Sequence, residues 1–188
     1  MTTLLELFQN IEDIEDVDLK HTLEVMLDRS GASIPEDADW YYQNQEKIVL
    51  QKSNIKSVEP LRYLPNVKIL VLNENHIEDI SPLSELPNLY HLNLISNEVS
   101  ELYIEGDNPF PSLREMYLGL NLVRDVSSLS RLTTLRILGL RGNTRIVDVS
   151  PLARLVGSLV QLNIMGTSVS AEDYLDLFGK LPGCKITI

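Results

Sequence analysis

Residues 67–88 read VKILVLNENHIEDISPLSELPN, and the same pattern returns four more times before the chain ends. It recurs as LYHLNLISNEVSELYIEGDNPFPS from Leu89, LREMYLGLNLVRDVSSLSRLTT from Leu113, LRILGLRGNTRIVDVSPLARLVGS from Leu135 and LVQLNIMGTSVSAEDYLDLFGKLP from Leu159. A degenerate first copy, QEKIVLQKSNIKSVEPLRYLPN, begins at Gln45. The copies therefore start at 45, 67, 89, 113, 135 and 159, at intervals of 22, 22, 24, 22 and 24 residues. A fixed period of this size marks a solenoid, in which no single unit can bury its apolar face alone and stacked units make one continuous core.

Each recurrent position has a physical reason. Apolar residues at positions four and six, such as Leu70 with Leu72 and Leu92 with Leu94, alternate with positions left to solvent, as a strand buried on one face requires. At position nine the chain must turn out of the strand, and its backbone groups need a partner other than a neighbouring strand. Asn75, Asn97, Asn121 and Asn143 stand there, each with an amide that both donates and accepts, so a stacked file of them can satisfy the turns. The first and last copies carry Ser53 and Thr167 instead. Past the turn, Ile80-Ser81-Pro82-Leu83 with Leu86, and Val149-Ser150-Pro151-Leu152 with Leu155, predict short helical turns begun by proline, whose missing N–H is harmless there. In the third copy the run from Glu101 to Pro109 replaces this S-P-L turn, which predicts an irregular loop.

The pattern L-x-x-L-x-L-x-x-N-x-I with its 22-residue period resembles the SDS22-like class of leucine-rich repeats over about residues 45–182. The resemblance implies an α/β fold, a short right-handed solenoid of about six repeats with a parallel concave sheet, and a role in binding another protein. The class includes phosphatase regulators, dynein light chains, splicing subunits and bacterial internalins, so it names no partner. The approach to the last segment, LPGCKI, is similar to the closing segment of many bacterial leucine-rich-repeat proteins. Both ends of a solenoid need covers. Residues 1–44 predict a helical cap, with Leu4, Leu7, Phe8, Ile11 and Ile14 at helical spacing and Leu19, Leu23, Met26 and Leu27 on a second helix stopped by Gly31. Ser33-Ile34-Pro35-Glu36 reads as a capping box for a third helix bearing Trp40 and Tyr41. At the far end, Ser170 to Asp173 opens a last helix with Tyr174, Leu177, Phe178 and Leu181, and residues 183–188 predict a closing strand, the whole forming one structural unit.

Composition narrows the functional classes. At 188 residues, 44% apolar and 23% charged, the chain reads as one globular unit, with no stretch near the roughly 18 apolar residues of a membrane span. The opening MTTLLELFQNIEDIED lacks a basic leader, and the single cysteine, Cys184, allows no internal disulfide and no paired-cysteine metal motif, so the expected compartment is the cytoplasm. The net charge of −11 argues against nucleic acid. Its distribution is lopsided: residues 1–46 carry −10, whereas residues 113–158 hold seven arginines against Glu115, Asp125 and Asp148. No catalytic constellation, metal site or cofactor motif is legible. His21, His76 and His91 share no ligand spacing, Asp13, Asp16 and Asp18 lack the rest of a calcium loop, and Cys184 has no partner that would make it a nucleophile.

The working surface is then the concave sheet, which positions two, three, five, seven and eight of each copy are expected to face. Position three reads Lys47, Ile69, His91, Glu115, Ile137 and Gln161; position five reads Val49, Val71, Asn93, Tyr117, Gly139 and Asn163; position seven reads Gln51, Asn73, Ile95, Gly119, Arg141 and Met165. Members of one file are nearest neighbours at strand spacing. Ile69, Val71, Tyr90, His91, Ile95 and Tyr117 form an apolar and aromatic centre, and Arg114, Arg136 and Arg141 form charged anchors. The expected function is noncatalytic binding of a partner protein by a monomer. The alternatives are head-to-tail self-association of the acidic cap with the arginine-rich copies, and an enzyme with an unrecognised site.

Overall fold

The structure is a computed structural model that describes residues 2–104 and 106–188. Among these, seven strands of three residues form one parallel sheet in chain order: β1 (Lys47–Val49), β2 (Ile69–Val71), β3 (His91–Asn93), β4 (Glu115–Tyr117), β5 (Ile137–Gly139), β6 (Gln161–Asn163) and β7 (Lys185–Thr187). The first six begin at position three of their copies, and the register aligns equal positions across neighbours: Ile69 with His91, His91 with Glu115, Val71 with Asn93, Asn93 with Tyr117. This is the expected α/β leucine-rich-repeat solenoid, with helices before the sheet and a helix and strand after it. Leu70, Leu72, Leu92, Leu94, Met116, Leu118, Leu138 and Leu140 are buried from strand to strand as one core.

The asparagines show how the strands are held. Asn97 Nδ2 donates to the carbonyls of Leu72 and Leu94, both at 3.0 Å, while its Oδ1 accepts from Ile77 N–H at 3.0 Å. Asn75, Asn121 and Asn143 repeat the arrangement. Each inner position-six carbonyl thus takes amide hydrogens from its own copy and the next: Leu72 from Asn75 and Asn97, Leu94 from Asn97 and Asn121, Leu118 from Asn121 and Asn143. At the end of the file Thr167 reaches only its own copy's Ile164 carbonyl. Among the described residues no buried side-chain nitrogen or oxygen lacks a partner.

The residue before each of these turns is left-handed. Position eight has φ +55° at Lys52, +58° at Glu74, +59° at Ser96, +55° at Leu120, +75° at Gly142 and +72° at Gly166. Glycine takes this conformation freely, whereas an L-residue there costs on the order of 1–2 kcal/mol. On the convex side, short 3-10 turns lie at Glu59–Tyr63, Ser81–Leu83, Ser127–Arg131 and Ser150–Leu155. Three of them are prepared by an aspartate: Asp79, Asp125 and Asp148 accept from the N–H groups of Ser81, Ser127 and Ser150, each at 2.8 Å. The third copy has no helical turn among its described residues. Leu102, Ile104 and Phe110 fill its core, and the Arg131 guanidinium holds the carbonyls of Ile104 and Gly106.

The N-terminal cap consists of α1 (Leu4–Gln9), α2 (Val17–Ser30) and α3 (Pro35–Gln43). Gly31 at φ +67° ends α2, as its sequence position predicts. The Ser33–Glu36 capping box is not formed. Pro35 occupies the first turn, which makes Ile34 the N-cap, and Glu36 accepts instead from Gln9 Nε2 at 2.7 Å. That hydrogen bond lowers the Glu36 carboxyl below its usual range. A capping box does open α1, between Thr3 and Glu6. The predicted run of Leu4 to Ile14 is one short helix and a 3-10 turn, because Asn10 turns its amide back to Glu6 carbonyl and closes α1. The cap docks on the first copy through Thr22 Oγ1 to Ser57 carbonyl at 2.7 Å and the His21 ring to Ser53 carbonyl at 2.8 Å. At the other end α4 (Ala171–Lys180) buries Leu177, with Leu181 just beyond it, but leaves Phe178 exposed. Cys184 is buried, and burial raises its thiol. No helix of the described residues is long and apolar enough to cross a membrane.

Two predictions follow from these contacts. Asn97→Ala leaves Ile77 N–H buried without an acceptor and should cost about 2–3 kcal/mol in urea denaturation. Asn97→Asp keeps the acceptor but turns a carboxylate oxygen toward two carbonyls. It should be at least as damaging at pH 7 and recover in part as acid protonates it. In the cap, the Tyr42 hydroxyl is buried and donates to Met26 carbonyl at 2.9 Å, and burial pushes its ionisation well above the ordinary range. Above about pH 10 the unfolded chain releases this proton while the folded one retains it, so stability falls as pH rises further. Thermal melts from pH 8 to 11 should show that slope in the wild type and a flatter one in Tyr42→Phe, which lacks the hydrogen bond at every pH.

Candidate functional site

Positions three, five and seven lie on the solvent side of the sheet because positions four and six take the inward direction. The centre of that face is a contact between two strands. His91 Nδ1 lies 2.9 Å from Glu115 Oε2, each side chain about one-quarter exposed. The Tyr117 hydroxyl donates to the same oxygen at 3.4 Å, and the His91 and Tyr117 ring centroids are 5.3 Å apart. Burial, and then the charge and hydrogen bond of Glu115, raise the Tyr117 phenol above its ordinary value. It is a neutral donor at physiological pH.

Two glycines shape the floor beside this cluster. A Cβ on Gly139 would lie 3.3 Å from Tyr117 Cδ1, so the tyrosine ring rests over the bare backbone of β5. A Cβ on Gly119 would meet Arg141 carbonyl at 3.3 Å and Ile95 Cγ1 at 3.8 Å, so the Ile95 side chain borders the second bare spot. Tyr117 and Ile95 are thus laid down along the sheet and half-buried, where a file of alternating residues leads one to expect them upright.

The nine candidate residues occupy different surroundings on this face. His91, Ile95 and Tyr117 gather around Glu115 and the glycines. Ile69 on β2 is the register neighbour of His91, whereas Val71 is one strand further from Tyr117, with Asn93 between them. Tyr90 stands exposed at the strand entry. Arg114 is part-buried, and its Nη1 donates to Thr134 carbonyl at 2.9 Å. Arg136 and Arg141 are exposed. Among the described residues no three His, Cys, Asp or Glu side chains are grouped to hold a metal ion.

The positions beside the turn lie outside the files of positions three, five and seven. Leu120 and Leu122 project outward on either side of the buried Asn121, 55% and 40% exposed, and Val147 in the next copy is 57% exposed. The signal lay at position eight: a leucine in a file that otherwise holds Lys52, Glu74, Ser96 and glycine. Trp40 on α3 is also exposed, at 68%.

Residues 65–105 match the family model for Leucine Rich repeats (2 copies). No curated protein matches the sequence. Among solved structures, an internalin (inlF) from Listeria monocytogenes str. 4b F2365 is similar at 26% identity and a TM-score of 0.76, over 98% of this chain and 51% of that one. A leucine-rich-repeat protein of Leptospira interrogans is similar in fold at 21% identity and a TM-score of 0.72, over 80% of this chain and 39% of that one. The chain spans about half the length of the internalin it matches.

The geometry around Tyr117 is testable without a partner. In an ultraviolet titration the Tyr117 phenol, isolated as the difference between wild type and Tyr117→Phe, should ionise above the ordinary tyrosine range. Glu115→Gln should bring it part of the way back. The remainder persists because burial is the larger cause.

Proposed function

We propose that this protein is a noncatalytic interaction module that binds a partner protein on its concave sheet, with Tyr117, His91 and Ile95 at the centre and Tyr90, Arg136 and Arg141 around it. Leucine-rich repeats generally mediate protein–protein interaction, and the reading builds on that general role. The observation that carries it is the Tyr117 ring held against Gly139 and Glu115. An aromatic side chain already fixed in the free protein loses little rotamer freedom when a partner covers it, so more of its buried area appears as affinity. The 22-residue period supports placing the repeats in the SDS22-like class, and the two bacterial neighbours agree with a bacterial-type closing segment. Arg114 holds the loop before β5 with one N–H and keeps further donors for a partner.

Affinity capture with the intact protein identifies the partner, and surface kinetics on the captured complex then test the face. Tyr117→Ala should weaken the complex by about 2 kcal/mol or more, mainly through faster dissociation, with little change in melting temperature. Arg136→Glu should slow association and alter its salt dependence, since exposed charges govern encounter more than final affinity. Arg154→Glu, on the convex turn Ser150–Leu155, is the control and should change neither rate. Full binding by both concave variants would place the partner elsewhere.

A further inference from the structure

The flank formed by the turns that leave the strands is polar over the first three copies and changes character at the fourth. In the early copies its side chains pair with one another: Lys52 with Glu74 at 3.4 Å and His76 with Glu98 at 2.6 Å. At the equivalent positions the fourth copy presents Leu120 and Leu122, followed by Arg124, all exposed, with Asn121 and Val123 directed inward between them. The fifth copy carries one extra residue in its turn. The backbone ladder that runs from His76 to Ile55, Glu98 to Ile77, Leu122 to Val99 and Ser168 to Ile146 is replaced there by a local bond from Ile146 N–H to Asn143 carbonyl. That extra residue brings Arg145 and Val147 outward beside the leucines. Val123 N–H donates to Asn143 Oδ1 at 3.0 Å and binds the two turns together. Arg141, whose carbonyl accepts Leu120 N–H at 2.7 Å, joins this flank to the concave face.

Leu120 is kept under backbone strain. It holds φ +55° at the position where the next two copies use glycine, and its side chain remains more than half exposed, so burial compensates little of that strain. Its Cδ2 stands where a Cβ on Gly142 would be, at 2.6 Å, so the neighbouring copy has given up a side chain to make room for it. Lys52, Glu74 and Ser96 bear the same strain with polar side chains; only Leu120 sets a large exposed apolar group there, with a glycine cleared beside it, on a flank that also carries three exposed arginines.

We infer that the turn flank of copies four and five, built from Leu120, Leu122 and Val147 with Arg124, Arg141 and Arg145, is a second docking surface, and that its occupant is an acidic segment of another protein bearing apolar side chains. The arginines select carboxylates, and the leucines and valine require apolar groups between them. A bare polyanion would satisfy the first requirement only, and the flank contains no aromatic side chain on which a nucleic-acid base could stack.

The probe is a pooled library of twelve-residue peptides with Asp or Glu at alternate positions and Leu, Ile, Phe or Trp between them, panned against the full-length protein at physiological salt. A second library replaces the apolar residues with serine, and an oligo-uridine serves as polyanion. The wild type should retain the acidic-apolar library at least tenfold over the acidic-serine one. The double variant Leu120→Gly/Leu122→Ser should lose that preference, and Arg124→Glu/Arg145→Glu should lose all retention. A thermal melt of Leu120→Gly, in which the relieved left-handed backbone offsets the lost side-chain contact with the Gly142 turn, separates loss of binding from unfolding. Tyr117→Ala should retain the library, which separates this surface from the concave one: loss with Tyr117→Ala and retention with the leucine variant would leave the concave site standing and overturn the flank. Equal retention of the acidic-serine library or of oligo-uridine overturns it as well. So does self-association of the wild type at low salt that the leucine variant abolishes, since the occupant would then be the acidic cap of a second copy.

Discussion

A chain that leaves a three-residue strand must turn where its peptide groups have no strand to pair with, yet the turn is packed inside. The buried asparagine of each inner copy meets that demand with one amide. Its two hydrogens tie the end of its own strand to the end of the preceding one, and its oxygen takes an N–H from the preceding turn. Because each central carbonyl is shared between two successive asparagines, the copies cannot slide relative to one another without losing several bonds together. The strand register, the continuous leucine core and the alignment of the concave files all rest on this ladder.

The same turn sets what the surface can display. It places position eight in the left-handed region in all six copies, and in four of them a side chain stands at the rim of the sheet where glycine would be the easy choice. Lysine, glutamate and serine there cost something and gain a surface pair or nothing. Leucine costs the same and adds an exposed apolar group. Inside the rim, Gly119 and Gly139 lower the floor, and Tyr117 and Ile95 lie across it. The concave centre and the turn flank therefore meet around Arg141, one rigid and aromatic, the other apolar and basic.

The ends follow a different logic. The cap covers the first copy with hydrogen bonds from Thr22 and His21 to its turn and convex carbonyls, and it carries most of the negative charge. Seven of the nine arginines lie on the fourth and fifth copies. Such separation leaves the fold alone and steers what approaches it. An acidic segment of the kind proposed above would be repelled from the cap and drawn toward the fourth and fifth copies.

The repeat period, the inward leucines and the asparagine file were legible in the sequence, because stacking makes one position do the same task in every copy. The parallel sheet, its register and the closing strand follow from that repetition. The tertiary structure decided which side chains are free to act. Arg114 and Arg136 share a position, yet one guanidinium is held by Thr134 carbonyl and the other lies in solvent. Tyr117 lies flat because the next copy has glycine at the same height, and Leu120 overhangs the next copy for the same reason. Helix boundaries in the cap also moved, since Pro35 shifts the start of α3 by one and Asn10 closes α1 early. A file of residues read down a repeat records identity at each height. Where a long side chain goes depends on the sizes of its neighbours in three dimensions, and that is a property of the packed surface.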